Sequence, residues 1–149
     1  MAKIEEEMKT KFANEKHRML ANIVFTGSWV RNGFAEFIKP YGISPQQFNI
    51  LRILRGTSDW LSMREIRNRM VEKSPNATRL CDKLVEKKLL ERLRSEEDRR
   101  VVHLRILEKG LQLLKRIDDE DDGSHTAFID NVTAEEAEIV SNILDKLRG

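Results

Sequence analysis

Apolar residues recur along most of this chain at spacings of three and four, but two short segments past the middle alternate every second residue. The first pattern predicts helices and the second a pair of strands. Residues 2–18 read as an amphipathic helix, with Ile4, Met8 and Phe12 four apart among lysines and glutamates. The pattern continues over 19–39 through Leu20, Ile23, Val24, Phe34, Phe37 and Ile38, where Gly27 and Gly33 are expected to bend or interrupt it. Pro40 and Gly42 end the segment. Phe25 and Trp29 add to an apolar load that so small a chain has trouble burying on itself. A partner subunit is therefore expected to cover part of it.

Three capping boxes and one further cap-plus-proline signal, Ser74-Pro75, punctuate the chain beyond Gly42. Ser44-Pro45-Gln46-Gln47 combines a capping serine, a proline suited to the first helical position and a reciprocal glutamine. Phe48, Ile50, Leu51 and Leu54 give that helix its buried face, and residues 56–59 close it. Ser62 with Glu65 forms a second box and starts a helix with Ile66 and Met70 inward. Ser74-Pro75 is expected to start the next helix, through about Lys88, with Ala77, Leu80, Cys81, Leu84 and Val85 on one face. Residues 89–94 and 101–106 read as strands; Val102, Leu104 and Ile106 share one face of the second, and Val101, His103 and Arg105 the other. A helix resumes over 108–119 with Leu111, Leu114 and Ile117, and the acidic run before Gly123 predicts a break. Thr133 with Glu136 is the third box and opens a last helix carrying Ile139, Ile143, Leu144 and Leu147.

Helix, turn, helix and hairpin over 62–106 is the layout of a winged helix-turn-helix. In that design one helix enters a DNA groove and the hairpin reaches the adjacent backbone or minor groove. The expected class is mainly α with a small β-hairpin wing (α+β), flanked by N- and C-terminal dimerisation helices.

Composition and charge narrow the picture. The 149 residues form one domain by length, and scarce Gly and Pro (7 and 3) argue against an all-β or low-complexity chain. The single cysteine excludes an internal disulfide framework and suits a reducing compartment. No apolar run reaches the length of a membrane span and no signal-peptide core follows Met1, so a cytoplasmic protein without membrane partners is expected. Net charge is only +2, but residues 62–105 carry 13 Lys and Arg against 8 Asp and Glu, while the rest carries 14 against 17. A basic centre between acidic ends is the footprint expected of a nucleic-acid surface, although a randomly charged surface is the other reading.

The helix after Pro75 presents Ser74, Asn76, Thr78, Arg79 and Lys83 opposite its apolar face. Arg reads guanine bidentately and Asn reads adenine, while Ser, Thr and Lys also serve phosphates. An ordinary solvated face is the alternative. At the hairpin tip Arg94, Arg99 and Arg100 surround Glu96, Glu97 and Asp98. An arginine on an extended loop suits the negative potential of a narrow minor groove, and a neighbouring carboxylate can hold it ready. A cationic helix face followed at once by a cationic hairpin is less common than either alone.

At these residues the chain closely resembles the MarR family of bacterial winged-helix transcription regulators. The matching stretches are SPQQFNILRIL, LSMREIRNRM, KSPNATRLCDKLVEKKLLER, SEEDRRVVHLRILEKG and AEIVSNILDKLR. The T-R-L-x-D-x-L core and the D-R-R wing are their specific parts. The resemblance implies one MarR-like domain over 1–149, with a DNA-binding region over 41–106 and dimerisation helices in 1–40 and 107–149. It implies an obligate homodimer on a pseudo-palindromic operator in double-stranded DNA, usually a repressor released by a small-molecule effector or by oxidation. By position, Ser74, Pro75, Asn76, Thr78 and Arg79 fall where the family's recognition helix meets the major groove. Arg100 falls at the wing arginine, with Asp98 placed to brace it. Two departures stand out. Lys88 replaces a usual Gly, so that helix is expected to end differently. Leu107 replaces a usual Thr, removing a cap worth about 1 kcal/mol.

Other chemistry is thinner. Cys81 invites a redox-responsive reading, but it shares the apolar face with Leu80, Leu84 and Val85, and buried thiols are usually inert. The family's sensing cysteine typically lies in the N-terminal helices, where this chain has none. The run from Asp118 to Gly123 resembles the start of a calcium loop, yet position twelve is Ile129 instead of Glu. His125 has no second histidine nearby to make a metal site, His17 reads as an exposed helix residue, and His103 lies on the wing strand. No cofactor is expected. No nucleophile triad, nucleotide-binding glycine loop or zinc-protease helix appears, which disfavours an enzyme. The aromatic candidates for an effector site are Phe25, Trp29, Phe37 and Tyr41, for each of which core packing is the plainer role. The rival function is a winged-helix protein-interaction module without operator binding.

Overall fold

The computed structural model describes residues 2–57 and 59–149. Their order is α1 (Ile4–Glu7), α2 (Glu15–Ile38), α3 (Pro45–Arg55), β1 (Leu61–Ser62), α4 (Met63–Arg69), α5 (Ala77–Glu86), β2 (Leu90–Arg94), β3 (Val102–Ile106), α6 (Glu108–Glu120) and α7 (Ala134–Arg148). Short 3-10 helices lie at Lys39–Tyr41 and Ser124–Asn131. The chain forms two compact units, one ending at Asp119 and the other Glu120–Gly149.

In the first unit the amphipathic faces close on one core. Ile50, Leu51 and Leu54 of α3, Ile66 of α4, Cys81 and Leu84 of α5, Leu104 of β3, and Leu114 and Ile117 of α6 are all at most 2% exposed. Burying each of the larger side chains contributes roughly 1.5–3 kcal/mol against leaving it in water. The sheet order is β1-β3-β2, antiparallel throughout, with Leu90 opposite Ile106 and Arg94 opposite Val102. Val102, Leu104 and Ile106 share a face as the alternation predicts.

Four expectations need correction. The helix read over 2–18 is broken: α1 ends at Glu7, Lys9 takes a positive φ of 49°, and Asn14 restarts the helix by accepting from His17 N at 3.0 Å. The apolar spacing to Phe12 runs on through a chain reversal that periodicity alone does not register. Conversely, α2 passes through Gly27 and Gly33 without interruption, since its backbone bonds and neighbouring helix formers outweigh the propensity cost of about 1 kcal/mol each. The helix expected to start at Pro75 starts at Ala77, because Ser74 Oγ accepts from Asn76 N at 3.1 Å and makes a local turn first. The hairpin also gains a third strand, β1, whose two residues pair Leu61 with Leu104 and Ser62 with His103. Two residues are too few to show alternation.

The three capping boxes all form, at Ser44 with Gln47, Ser62 with Glu65, and Thr133 with Glu136. Gly56 caps α3, and Ser58 in the closing turn lies outside the described residues. Lys88 is the informative exception. It takes the left-handed conformation (φ 60°) that a glycine adopts freely, while Leu89 N donates to Leu84 O at 3.0 Å and Lys88 N to Val85 O at 2.9 Å. This is a Schellman closure, with buried Leu84 and Leu89 supplying its apolar contact. The end of α5 is thus the one a glycine would make, reached at a steric cost of about 1–2 kcal/mol. Lys88→Gly is expected to raise stability by about 1 kcal/mol, read as a higher denaturant midpoint with an unchanged slope.

In the second unit, α7 buries none of its residues and leaves Ile139, Val140, Ile143 and Leu147 about half exposed. In the first, 24-residue α2 buries only Ile38, and Leu20, Val24 and Trp29 are 57%, 62% and 52% exposed. Both helices carry more apolar surface than their own units cover.

Candidate nucleic-acid interface

The candidate reading unit is α4, the turn after it, and α5. Ser62 starts α4, its amide donating to Glu65 Oε2 at 2.8 Å, and this bond holds the Glu65 carboxyl below its usual range. In the turn, Val71 N donates to Asn49 Oδ1 of α3 at 3.1 Å. Ala77, Cys81 and Leu84 point α5 into the core, so Thr78, Arg79 and Lys83 are exposed by the same helical geometry, with Pro75 and Asn76 exposed in the turn ahead. Ser74 is half-buried, its hydroxyl engaged with Asn76 N.

Two contacts that carry no signal in the sequence tie α5 to α3 and α4. Gln47, only 5% exposed, accepts from Ser44 N at 3.0 Å and donates to Leu80 O at 3.3 Å, tying the start of α3 to the middle of α5. Arg67 of α4 donates from Nη2 to Thr78 Oγ1 at 2.9 Å. Sequence reasoning misses both, since the partners lie 33 and 11 residues apart.

The wing is tied to the same helix. Arg92 of β2 pairs with Asp82 of α5 at 3.1 Å, one turn from Arg79. Strand alternation offers a hint here, because Arg92 shares a face with buried Leu90. Arg105 of β3 pairs with Glu91 and lies over the Trp60 ring, 4.7 Å from its centroid. At the tip, Ser95 N donates to Val101 O at 3.0 Å and Val101 N to Asp98 O at 2.9 Å. Asp98 Oδ1 accepts from the backbone N of Arg100 at 2.9 Å. Asp98 therefore shapes the turn that carries Arg100 through the main chain, and the Arg99 and Arg100 side chains are exposed. Among the described residues, carboxylates engage Arg92 and Arg105, and none pairs with Arg79, Lys83, Arg99 or Arg100.

The aromatic candidates separate into two places. Phe25 borders an open apolar groove with Met8, Leu20 and Val24, and Phe25 and Trp29 line a second shallow depression beside Ile4. Phe37 and Tyr41 instead pack on the core near Phe34 and Phe48, with Arg116 over the Tyr41 ring at 5.2 Å. Cys81 is 2% exposed, and burial, with the charge of Asp82 second, pushes its thiol up to about 12. An alkylating reagent at neutral pH is expected to leave Cys81 unmodified in the native protein and to label it once denaturant is added. Fast native labelling would contradict the burial. Among the described residues, no three His, Cys, Asp or Glu side chains are placed to hold a metal ion, and no helix is long and apolar enough to cross a membrane.

Comparison with known proteins agrees with this geometry. The MarR family model matches residues 41–101, from the end of the 3-10 turn to the wing tip. The HTH-type transcriptional regulator MhqR of Bacillus subtilis (strain 168) is 31% identical over 112 residues, 75% of this chain and 77% of that protein. A MarR-like transcription regulator from Bacillus cereus ATCC 10987 superposes with a TM-score of 0.78 at 20% identity, over 90% of this chain and 96% of that one. A mutant MarR from E. coli complexed with operator DNA gives 0.77 at 22% identity, over 93% of this chain and 99% of that one. A relative so similar over three quarters of both chains, a family model that matches the reading unit and a shared fold lead to one conclusion: this chain belongs to the MarR family of winged helix-turn-helix transcriptional regulators.

Proposed function

We propose that the chain works as a homodimer that binds a pseudo-palindromic operator and represses transcription until a small molecule releases it. One observation carries the DNA-binding part. Arg79 and Lys83 of α5 and Arg99 and Arg100 of the wing lie without carboxylate partners on two elements that the Asp82–Arg92 pair ties together. In this reading residues 41–106 hold the DNA, with Ser74, Pro75, Asn76, Thr78, Arg79 and Lys83 at the major groove. Arg100, with Arg99 beside it, enters the minor groove on a turn braced by Asp98. The related E. coli mutant MarR with operator DNA supports the mode by analogy of fold.

Residues 1–40 and 107–149 supply the dimer contacts. The uncovered apolar faces of α2 and α7 favour this, since exposed stripes of that kind usually mark interfaces. Two recognition helices held about 34–36 Å apart would then meet successive major grooves on one face of the duplex. The effector site is assigned to the apolar face of α2, with Phe25 and Trp29 as candidates, apart from Phe37 and Tyr41, which pack on the core. An effector would act by favouring a dimer whose recognition helices are wrongly spaced.

Selection of bound duplexes from random DNA, with sedimentation at micromolar concentration, tests the reading. The expected outcome is a dimer that enriches a sequence with two-fold symmetry. No preference for any duplex would defeat the operator reading in favour of a protein-interaction module, and a monomer would defeat the proposed interface.

A further inference from the structure

Thr78 sits at the second position of α5, exposed and aimed away from the core. Its hydroxyl has two acceptor lone pairs and a single proton. The Arg67 guanidinium, reaching across from α4, takes one lone pair at 2.9 Å. The bond has two consequences. It favours the χ1 rotamer that faces Arg67 over the other one a helical threonine adopts. It also polarises the O–H, which strengthens the hydroxyl as a donor and leaves its second lone pair free.

We propose that Arg67 is a positioning residue for DNA recognition, fixing the Thr78 hydroxyl so that its proton is donated to an acceptor oxygen or nitrogen of the duplex. The inference rests on the operator reading and adds a residue to it. The hydroxyl proton matches phosphate oxygens, guanine O6 and N7, adenine N7 and thymine O4, while the second lone pair stays free to accept. Arg67 acts from behind the contact, as second-row hydrogen-bond partners commonly do at built sites. The bond joins the two helices of the helix-turn-helix, from α4 to the start of α5.

The test uses the full-length chain in two parts. In the free protein, three-bond couplings to the Thr78 methyl should report one rotamer, and Arg67→Ala should average it. A wild type already averaged would overturn the proposal, whatever the DNA does. On the selected duplex, Arg67→Ala and Thr78→Val should each weaken binding about tenfold, and the double variant should lose little more than either alone. Arg67→Lys should recover part of the loss. The slope of affinity against salt should stay as in wild type for Arg67→Ala, because no phosphate charge contact is removed. Additive losses with a slope lower by about two units, one for each protomer, would overturn the proposal and make Arg67 a direct phosphate contact. A Thr78→Val loss confined to one base pair would identify a base acceptor and a uniform loss a phosphate oxygen, and both keep the proposal. A wild-type chain with no preferred duplex would defeat the operator reading and this inference with it, a failure the couplings distinguish from loss of the Arg67–Thr78 bond.

Discussion

Replacing Arg79, Lys83, Arg99 and Arg100 together by alanine is expected to weaken operator binding by at least about 1000-fold near physiological salt, with the fold left intact. Four contacts at about 1 kcal/mol or more each reach that factor. Each phosphate neutralised by a cation releases condensed counterions, so losing four cations from each protomer of the dimer should flatten the log–log salt dependence by as much as about 7 units. Arg100→Ala alone, present twice in the dimer, should remove about two of those units. Stability should hardly change, because all four side chains are exposed and such substitutions usually cost within about 0.5 kcal/mol. Thermal melting at fixed protein concentration serves as the control. Wild-type affinity in the fourfold variant would move the interface elsewhere on the molecule.

Gly110→Ala is expected to cost about 2 kcal/mol of stability, although alanine is the better helix former. Gly110 is the third residue of α6, where that helix meets the end of the wing sheet. A Cβ there would stand 2.6 Å from Leu89 O and 2.8 Å from Cγ1 of Ile106. The Leu89 carbonyl cannot retreat cheaply, since it accepts from Leu107 N at 3.0 Å and Leu89 itself closes α5. Overpacking of this kind costs about 1–3 kcal/mol, against a propensity gain of at most about 1. Gly110→Val should cost more, because a β-branched side chain adds bulk at the same contact. Denaturant unfolding at one protein concentration reads the effect, and an alanine variant as stable as wild type would show that the helix can shift without loss.

Much of the fold is legible because the signals that specify it are short-ranged. A capping box is completed within four residues, so Ser44, Ser62 and Thr133 announce α3, α4 and α7 before any packing is known. Strand alternation sorts Leu104 inward and Arg105 outward by the same local rule. Legibility fails where two local signals compete. At residues 8–14 the apolar spacing continues through a chain reversal and masks the Asn14 cap. At Ser74 the cap is real but serves a turn that precedes the helix.

The wing bracing is half legible. Asp98 and Arg100 are indeed coupled, but through a main-chain amide instead of the guanidinium. Lys88 shows the reverse case. Its departure from glycine suggests a different helix end, yet burial of Leu84 and Leu89 holds the backbone in the glycine-like conformation anyway. Tertiary packing outweighs the side-chain preference.

The chain by itself determined its helices, its hairpin, which residues of α5 face outward, and that cations gather between residues 62 and 105. Each comes from periodicity, capping or composition, whose range is a few residues. Only the tertiary structure decided what each cation does. Arg67, Arg92 and Arg105 are chemically identical to Arg79, Arg99 and Arg100, but the first three are engaged with Thr78, Asp82 and Glu91. Pairing depends on distances between elements brought together by the core, and sequence spacing does not encode those distances. The same holds for Gly110, which is required only because a strand end and the Leu89 carbonyl fold against it.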